Sequence, residues 1–387
     1  MCKLFNILTI FLTCIFILSG SLIYAQDQDF ELNVDSAILI ETNNGQVLYE
    51  KNADERMSPA SITKIMTLLL AMEKIESGEL DLDDKVNISK HAESMGGSQI
   101  FLAANTSVKV RDLLKAITIA SANDASVAIA EAIGGSYNNF INLMNKKAEE
   151  LGMGNTYFSN STGLPTESDH YTTARDITKM ARELVKYKQV LEWAQIWVDY
   201  IELPNRKAMI SNTNKLVKKY PGIDGLKTGH TDKAGFCLTA TAKRDMRLIS
   251  VVLKAKTELE REELTARLLD YGFNRFTKKE LANKGQEIQN ISVPDGKKEF
   301  TAGMISDDLE VVIKRGEEDT LETKVEFKEG FKAPIKKGDL LGYKFVIQDG
   351  KKLASANIVA TEDISRANIF IRLWRTFVNW IGSFFKK

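Results

Sequence analysis

Residues 62–75 are apolar on nearly every face of the helix that their pattern predicts, and no other segment constrains the fold as strongly. A helix of this kind is stable only where other elements surround it, so it is predicted to be a buried helix. Ser61 and Lys64 lie at its beginning. The apolar side chains of its body include Ile65, Met66, Leu68, Leu69, Leu70, Ala71 and Met72.

Three short motifs follow one another along the chain. Ser61-Ile62-Thr63-Lys64 begins the buried helix, Ser121-Ala122-Asn123 lies between two predicted helices, and Lys227-Thr228-Gly229 lies on or beside a predicted strand. The first two patterns are weak alone, because Ser-x-x-Lys recurs at 383–386 and Ser-x-Asn recurs at 136–138 and 355–357. In this order and context, the three together are similar to the signature of penicillin-recognising serine enzymes.

Ser61 and Lys64 are the candidate nucleophile and base. They are three residues apart, so in a helical turn their side chains share a face and can meet. A serine hydroxyl needs a base at neutral pH, and Lys64 can act as one only when it is uncharged. Burial and the charge of Lys227 would both lower the pKa of Lys64. The helix N-terminus also favours the anion that develops on Ser61. A surface ion pair, the alternative role for Lys64, does not fit so apolar a helix.

Ser121 and Asn123 have both a catalytic and a structural interpretation. In the first, Ser121 relays a proton from Lys64 to the departing amine, and Asn123 offers its amide to the substrate's peptide carbonyl or to Lys64. In the second, both residues form a turn that caps the next helix, as Ser and Asn commonly do. The two interpretations are compatible, because capping side chains often project into clefts.

The third motif predicts a site for a substrate that ends in a free carboxylate. Lys227 supplies positive charge, Thr228 supplies a hydroxyl, and Gly229 lets the backbone approach a ligand closely. The backbone N–H groups of Ser61 and His230 are the predicted oxyanion hole. The rival interpretation makes His230 the base of a Ser-His-Asp triad, but Lys64 already supplies a base.

Mixed helical and strand patterns predict an α+β fold for residues 30–274, with an antiparallel sheet flanked by helices. Residues 36–42 and 46–50 flank an Asn-Asn-Gly turn and predict one hairpin. Residues 236–253 alternate around a polar turn and predict a second. Over residues 275–361 helical periodicity fades, and short alternating runs predict a small all-β domain.

The two ends of the chain predict export and membrane association. Residues 1–25 combine a positive head, an apolar run and small residues, which is typical of a signal peptide, with an uncleaved anchor as the alternative. Residues 362–387 are predicted to form a basic amphipathic helix with Trp and Phe on one face. Its polar stripe disfavours a membrane-spanning helix, so we expect it to lie in the membrane interface. The alternative is a terminal helix that packs on its own protein.

Composition restricts the class of function. The 52 basic and 52 acidic residues balance, which argues against nucleic acid as a partner. The three histidines form no His-Glu-x-x-His motif, so neither a catalytic metal nor another cofactor is expected. Cys237 is the only cysteine after the predicted signal peptide, and its apolar surroundings predict a small core residue.

Residues 59–67, 121–128 and 224–231 resemble the motif segments of low-molecular-weight penicillin-binding proteins, specifically serine-type D-alanyl-D-alanine carboxypeptidases of peptidase family S11. The resemblance extends over essentially the whole chain. It implies a penicillin-binding/β-lactamase-like transpeptidase domain, a β-rich domain and an amphipathic anchor. One departure is Ala122, where glycine is common in this group.

The resemblance also implies roles for individual residues. Ser61 would be the acyl-enzyme nucleophile, Lys64 the general base, Ser121 the proton shuttle and Lys227 the partner of the substrate carboxylate. Arg261 is a loose match to a second carboxylate-binding arginine. The implied reaction removes the terminal D-alanine from peptidoglycan stem pentapeptides on the extracytoplasmic face of the membrane, and β-lactams are the implied inhibitors.

Three alternatives remain. A β-lactamase shares the motifs but typically needs a Glu-x-x-Leu-Asn element for deacylation, for which Glu167 is a poor substitute. A D,D-endopeptidase would use the same residues on crosslinked peptides. A non-catalytic wall-associated binder with a decayed site is disfavoured, because Ser61, Lys64, Ser121 and Lys227 are all intact.

Overall fold

The computed structural model describes residues 30–293, 295–328 and 332–384, so the predicted signal peptide lies outside the described residues. Residues 30–33 belong to a separate N-terminal unit and contain no helix or strand, and the second unit begins at Val34. Up to residue 275 its strands are β1 (Ser36–Glu41), β2 (Val47–Lys51), β3 (Lys85–Asn87), β4 (Ser107–Lys109), β5 (Val198–Leu203), β6 (Arg206–Ser211), β7 (Ile223–Thr231), β8 (Gly235–Lys243) and β9 (Arg247–Ala255). A 3-10 turn at Ala60–Thr63 precedes the helices α1 (Lys64–Glu76), α2 (Lys90–Glu93), α3 (Val110–Ala120), α4 (Asn123–Gly134), α5 (Tyr137–Glu150), α6 (Ala174–Leu184), α7 (Lys188–Ala194), α8 (Leu216–Lys219) and α9 (Glu258–Arg275).

A five-stranded antiparallel sheet in the order β2-β1-β9-β8-β7 organises this region. Both predicted hairpins are confirmed, as β1–β2 and β8–β9. The third motif lies in β7, where Lys227 is opposite Thr239 of β8 and Gly229 is opposite Cys237. Because β7 is at the edge of this sheet, one side of its backbone faces away from the sheet. The α+β prediction is therefore confirmed.

The predicted buried helix is confirmed as α1, whose side chains from Lys64 to Met72 are all buried. Helices α3, α4 and α6 pack against it. Each buried Leu, Ile or Met side chain stabilises the fold by about 1.5–3 kcal/mol, which offsets the cost of burying Lys64. The start of the helix differs from the prediction. Ser61 lies in the 3-10 turn before α1, where Ile62 N–H donates to Pro59 O at 3.1 Å, rather than in the first turn of the α-helix.

A β-rich region follows α9, in agreement with the predicted all-β domain. Its larger sheet is antiparallel with the order β11-β12-β16-β15-β14, and β10 pairs with β13. Ile291, Leu341 and Ile358 are among the side chains of its own core. The strands are β10 (Phe276–Ala282), β11 (Glu287–Ser292), β12 (Phe300–Ile305), β13 (Leu309–Lys314), β14 (Glu322–Phe327), β15 (Leu340–Gln348) and β16 (Lys351–Ala360).

The last described element is helix α10 (Ile369–Phe384). It begins later than the predicted range of 362–387. Residues before it run extended, because Ile364 bridges Ile335 and Arg366 bridges Gly296 in the β-rich region. No helix in the described ranges combines the length and apolar character that crossing a bilayer requires.

Candidate active site

The three motifs meet at a cavity of about 330 Å³ beside β7. Ser61 reaches it from the 3-10 turn, Ser121 from the connection between α3 and α4, and Thr228 from β7. Three of the predicted site residues, Lys64, Asn123 and Lys227, are buried and are not among the residues that line it. The remaining lining residues are Ser98, Asn212, Thr213, Lys215, Gly229, His230, Phe236, Glu258 and Arg261.

Lys64 Nζ is surrounded by three oxygen atoms. It lies 2.8 Å from Ser61 Oγ, 2.6 Å from Asn123 Oδ1 and 2.8 Å from Thr162 O. Carbonyl and carboxamide oxygens only accept, so two N–H groups of Lys64 donate to Asn123 and Thr162. If the amine of Lys64 is uncharged, its lone pair is left to accept a hydrogen bond from Ser61 Oγ. The geometry therefore allows the Ser61 hydroxyl to donate its proton to Lys64.

The electrostatic environment favours an uncharged Lys64. Burial, and then the positive charge of Lys227, lower the pKa of Lys64 well below its ordinary value. Burial, and then the charge of Arg261, lower the pKa of Lys227 to about 7. A lysine with a lowered pKa can accept a proton near neutral pH, which is what a general base must do.

The turn of the second motif places its residues at the cavity and against α1. Ser121 ends α3 in the left-handed conformation, with φ 61° and ψ 31°. Asn123 begins α4 and donates from its Nδ2 to Gly96 O at 2.7 Å. Of the two contacts predicted for Asn123, the one with Lys64 is present. Ala122 has φ −61° and ψ 122°, which any residue adopts, so alanine causes no strain where the family commonly has glycine.

The third motif contacts the nucleophile turn at Gly229. A Cβ at this position would lie 3.1 Å from both Ser61 N and Pro59 O, so a side chain would push the turn away from β7. Lys227 Nζ donates to Thr228 O at 3.0 Å, and Thr228 Oγ1 donates to Thr213 Oγ1 at 2.7 Å. Gly229 thus permits close contact with the nucleophile turn, and its predicted close approach to a ligand stays a prediction.

Arg261 lies on α9, and only 3% of it is exposed. Its Nη2 donates to Glu258 Oε1 at 3.2 Å, whereas its Nε is buried without a hydrogen-bond partner among the described residues. An unsatisfied buried donor costs about 1–3 kcal/mol. Because Arg261 lines the same cavity as Thr228, an anionic group bound there is the kind of ligand that would satisfy it.

His230 is exposed, and its ring stacks on Phe236 with a centroid separation of 4.0 Å. The contact of Ser61 Oγ with Lys64 therefore favours Lys64 over His230 as the base. Glu167, the poor candidate for a deacylating base, is exposed and is not among the residues that line the cavity.

The sequence reasoning missed the loop of residues 159–164, which contacts helices α1 and α4 next to the cavity. Besides Thr162, which binds Lys64, its Ser161 O accepts from Thr67 Oγ1 at 2.9 Å and from Ser126 Oγ at 2.8 Å. Asn160 Oδ1 folds the loop by accepting from the N–H groups of Thr162 and Gly163. The only signal in the sequence was that residues 160–163, Asn-Ser-Thr-Gly, are types that commonly form turns.

His170 joins this loop to the nucleophile turn. Its Nδ1 accepts from Ser159 N–H at 3.1 Å, and its Nε2 lies 2.8 Å from Thr63 Oγ1, which itself donates to Ala60 O. These contacts fit a neutral ring with its proton on Nε2. Burial, and then the charge of Lys233, lower the pKa of His170 to about 4, so the ring is neutral at physiological pH.

Cys237 is buried, which confirms its prediction as a core residue, and burial raises the pKa of its thiol to about 11. Within the described ranges, no group of His, Cys, Asp and Glu side chains is arranged to hold a metal ion.

Two family models match the chain. The model of the D-alanyl-D-alanine carboxypeptidases of peptidase family S11 matches residues 23–257. The model of the penicillin-binding protein 5 C-terminal domain matches residues 276–366. A curated relative, the D-alanyl-D-alanine carboxypeptidase DacF of Bacillus subtilis, is 44% identical over 348 residues, which is 89% of each chain.

Solved structures with related sequences share the fold. Penicillin-binding protein 5 from Haemophilus influenzae is 31% identical, with a TM-score of 0.78 over 87% of this chain and 99% of that one. The ampicillin-bound penicillin-binding protein D2 from Listeria monocytogenes is 32% identical, with a TM-score of 0.56 over 63% of this chain and 99% of its own.

Proposed function

Because this chain belongs to the D-alanyl-D-alanine carboxypeptidase family of serine peptidases, we propose that Ser61, Lys64 and Ser121 are the catalytic residues of such an enzyme. The activity is removal of the terminal D-alanine from peptidoglycan peptides that end in D-Ala-D-Ala, and the site binds β-lactams. The observation that carries the assignment of residues is the 2.8 Å contact between Ser61 Oγ and the buried Lys64 Nζ.

In the proposed mechanism, the terminal carboxylate binds beside Lys227, Thr228 and Arg261. Ser61 Oγ attacks the carbonyl carbon of the last peptide bond while Lys64 takes the hydroxyl proton. The N–H groups of Ser61 and His230 would stabilise the oxyanion of the tetrahedral intermediate.

The second half of the reaction releases the products. Ser121 passes the proton from Lys64 to the departing amine, the C–N bond breaks, and D-alanine leaves. A water molecule then attacks the carbonyl carbon of the acyl ester and gives a proton to Lys64. The ester C–O bond breaks, Lys64 returns that proton to Ser61 Oγ, and the shortened peptide leaves as the carboxylic acid. The contact of Asn123 with Lys64 supports a role for Asn123 in holding the base, in addition to the substrate-binding role predicted from its amide group.

We also propose the cellular arrangement of the chain. Residues 1–25 would direct export, residues 30–274 would form the catalytic domain, and residues 275–361 would form the β-rich domain. The terminal helix would hold the enzyme peripherally at the extracytoplasmic face of the membrane. Supporting this is the exposed apolar face at the beginning of α10: Ile369, Phe370, Leu373, Trp374 and Phe377 are each at least half exposed.

The direct test is D-alanine release from a peptide that ends in Lys-D-Ala-D-Ala, with the full chain and a Ser61→Ala control. We expect release by the unmodified protein and none by the control. Release that persists in Ser61→Ala would contradict the assignment of the nucleophile. A folded protein that releases no D-alanine from this peptide, yet cleaves crosslinked dimers, would be an endopeptidase instead.

A further inference from the structure

Phe101 is a bulky residue in an unfavourable setting on two counts. Its side chain is 69% exposed, and its backbone has φ 58°, in the left-handed region that favours glycine and asparagine. Such a backbone conformation costs on the order of 1 kcal/mol for a residue with a side chain. Strained residues of this kind cluster at binding and active sites, where the surrounding structure holds them in place.

The loop that carries Phe101 is held on both sides of this residue. The buried carboxylate of Asp124 accepts from Ile100 N–H at 3.0 Å and from Leu102 N–H at 3.1 Å. Arg206, at the start of β6, donates to Ile100 O at 2.6 Å. The exposed ring is therefore presented by a fixed backbone.

The same loop borders the catalytic cavity. Ser98 lines that cavity, and its carbonyl oxygen accepts from Asn123 N–H at 2.7 Å. Three residues of extended chain span at most about 10 Å, so Phe101 is within that distance of Ser98. Together with Leu203 and Pro204, Phe101 lines a small groove of about 70 Å³. The groove shares no lining residue with the catalytic cavity, and the loop that carries Ser98 and Phe101 connects the two.

We propose that Phe101 is a specificity-determining residue that contacts the methylene chain of the substrate residue preceding D-Ala-D-Ala. This inference rests on the proposed function. The cations Lys227 and Arg261 account for the carboxylate end of the peptide, so the acyl portion leaves the cavity elsewhere. One extended residue advances by about 3.3–3.6 Å, so the third residue from the carboxyl end lies about 7 Å from the terminal one, a length comparable with the limit of about 10 Å between Ser98 and Phe101. An aliphatic chain is the part of the stem peptide that an aromatic ring and a Leu-Pro groove bind.

The test compares two peptides that differ only in that residue, one ending in Lys-D-Ala-D-Ala and the other in Gly-D-Ala-D-Ala. In the full chain, Phe101→Ala should lower kcat/KM for the lysine peptide about tenfold, the factor that roughly two buried methylene groups supply. It should leave kcat/KM for the glycine peptide unchanged. Phe300→Ala removes another exposed ring, 54% exposed on β12, and should change neither value.

A second variant separates the ring from the backbone strain. Phe101→Asn removes the ring but suits the left-handed conformation, so it should lose the lysine preference without loss of thermal stability. Equal losses with both peptides, or no loss with either, would overturn the proposal for Phe101 while D-alanine release by the unmodified enzyme still supports the carboxypeptidase. No release from either peptide by the unmodified enzyme would contradict the proposed function and this inference with it.

Discussion

Two buried lysines, Lys64 and Lys227, determine the pH at which the proposed nucleophile can be activated. Each is buried, and the charge of Lys227 is one of the causes that lower the pKa of Lys64. Burying two cations beside each other destabilises both charged forms. The proposed acylation of Ser61 needs an uncharged Lys64, and this arrangement favours that form.

Replacing Lys227 by glutamine should shift the pH dependence of acylation. Without the charge at 227, the pKa of Lys64 rises, so at a given pH a smaller fraction of Lys64 is uncharged. The acidic limb of the rate profile for acylation of Ser61 by a penicillin should therefore move to higher pH. The measurement is the second-order acylation rate between about pH 5 and about pH 10.

Lys215→Gln is the matched control for this prediction. Lys215 also lines the cavity, but it is exposed, pairs with Glu258 and is not a cause of the lowered pKa of Lys64. Its loss should leave the acidic limb in place. An unshifted limb in Lys227→Gln would show that Lys227 does not set the pKa of the base.

At the scale of elements, the 159–164 loop and the 3-10 turn fit against each other at one glycine. Gly163 has φ +80°, and a Cβ there would lie 1.7 Å from Ala60 O. No side chain fits at that distance, so the loop can reach Lys64 and Thr67 only with glycine at 163. The loop thereby fixes the turn that carries Ser61.

Gly163→Ala should therefore separate the loop from the nucleophile turn. We expect loss of Ser61 acylation and a free energy of unfolding lowered by at least about 2 kcal/mol more than in Gly152→Ala. Gly152 has φ +67° with nothing within 4 Å of a Cβ, so its variant reports the backbone strain alone. Denaturant unfolding and penicillin labelling measure the two effects, and equal behaviour of the two variants would refute the proposed fit.

The elements themselves differ in how far they could be predicted. The β1–β2 hairpin was predictable because an Asn-Asn-Gly turn between alternating residues is a local pattern. Helix α1 was predictable because its apolar residues leave no polar face. The role of the 159–164 loop was not predictable, because it depends on backbone carbonyl groups that contact α1 and α4. Every residue has a carbonyl group, so the sequence does not show which ones make such contacts.

At the scale of the whole molecule, the terminal helix is the element proposed to bind the membrane surface. Helix α10 is anchored to the β-rich region by Arg375, which donates to Gly296 O at 2.8 Å, while Phe370, Leu373 and Trp374 are exposed. A basic helix with exposed aromatic side chains is suited to the interface of an anionic membrane. The contact of Arg375 with Gly296 holds one part of the helix on the protein, whereas the exposed aromatic side chains favour the proposed membrane contact.

Removal of this helix should release the protein from membranes. A chain that ends at residue 368 should fail to sediment with anionic vesicles, and Phe370→Ser with Trp374→Ser in the full chain should weaken vesicle binding at least about tenfold. Phe300→Ser, which alters an exposed ring of β12, should bind as the unmodified chain does. Sedimentation of the truncated protein with vesicles would show that another surface holds it.

The sequence by itself determined the fold class, the family resemblance and the three motifs, because these depend on periodicity and on the types of residue that serine chemistry needs. Only the tertiary structure decided the protonation of Lys64 and the contacts that hold it beside Ser61. The lowered pKa of Lys64 comes from burial and from Lys227, far away in the chain, and its third oxygen neighbour is a backbone carbonyl. The roles of Thr162, His170 and Arg261 likewise arise from distances between segments, which no local pattern records.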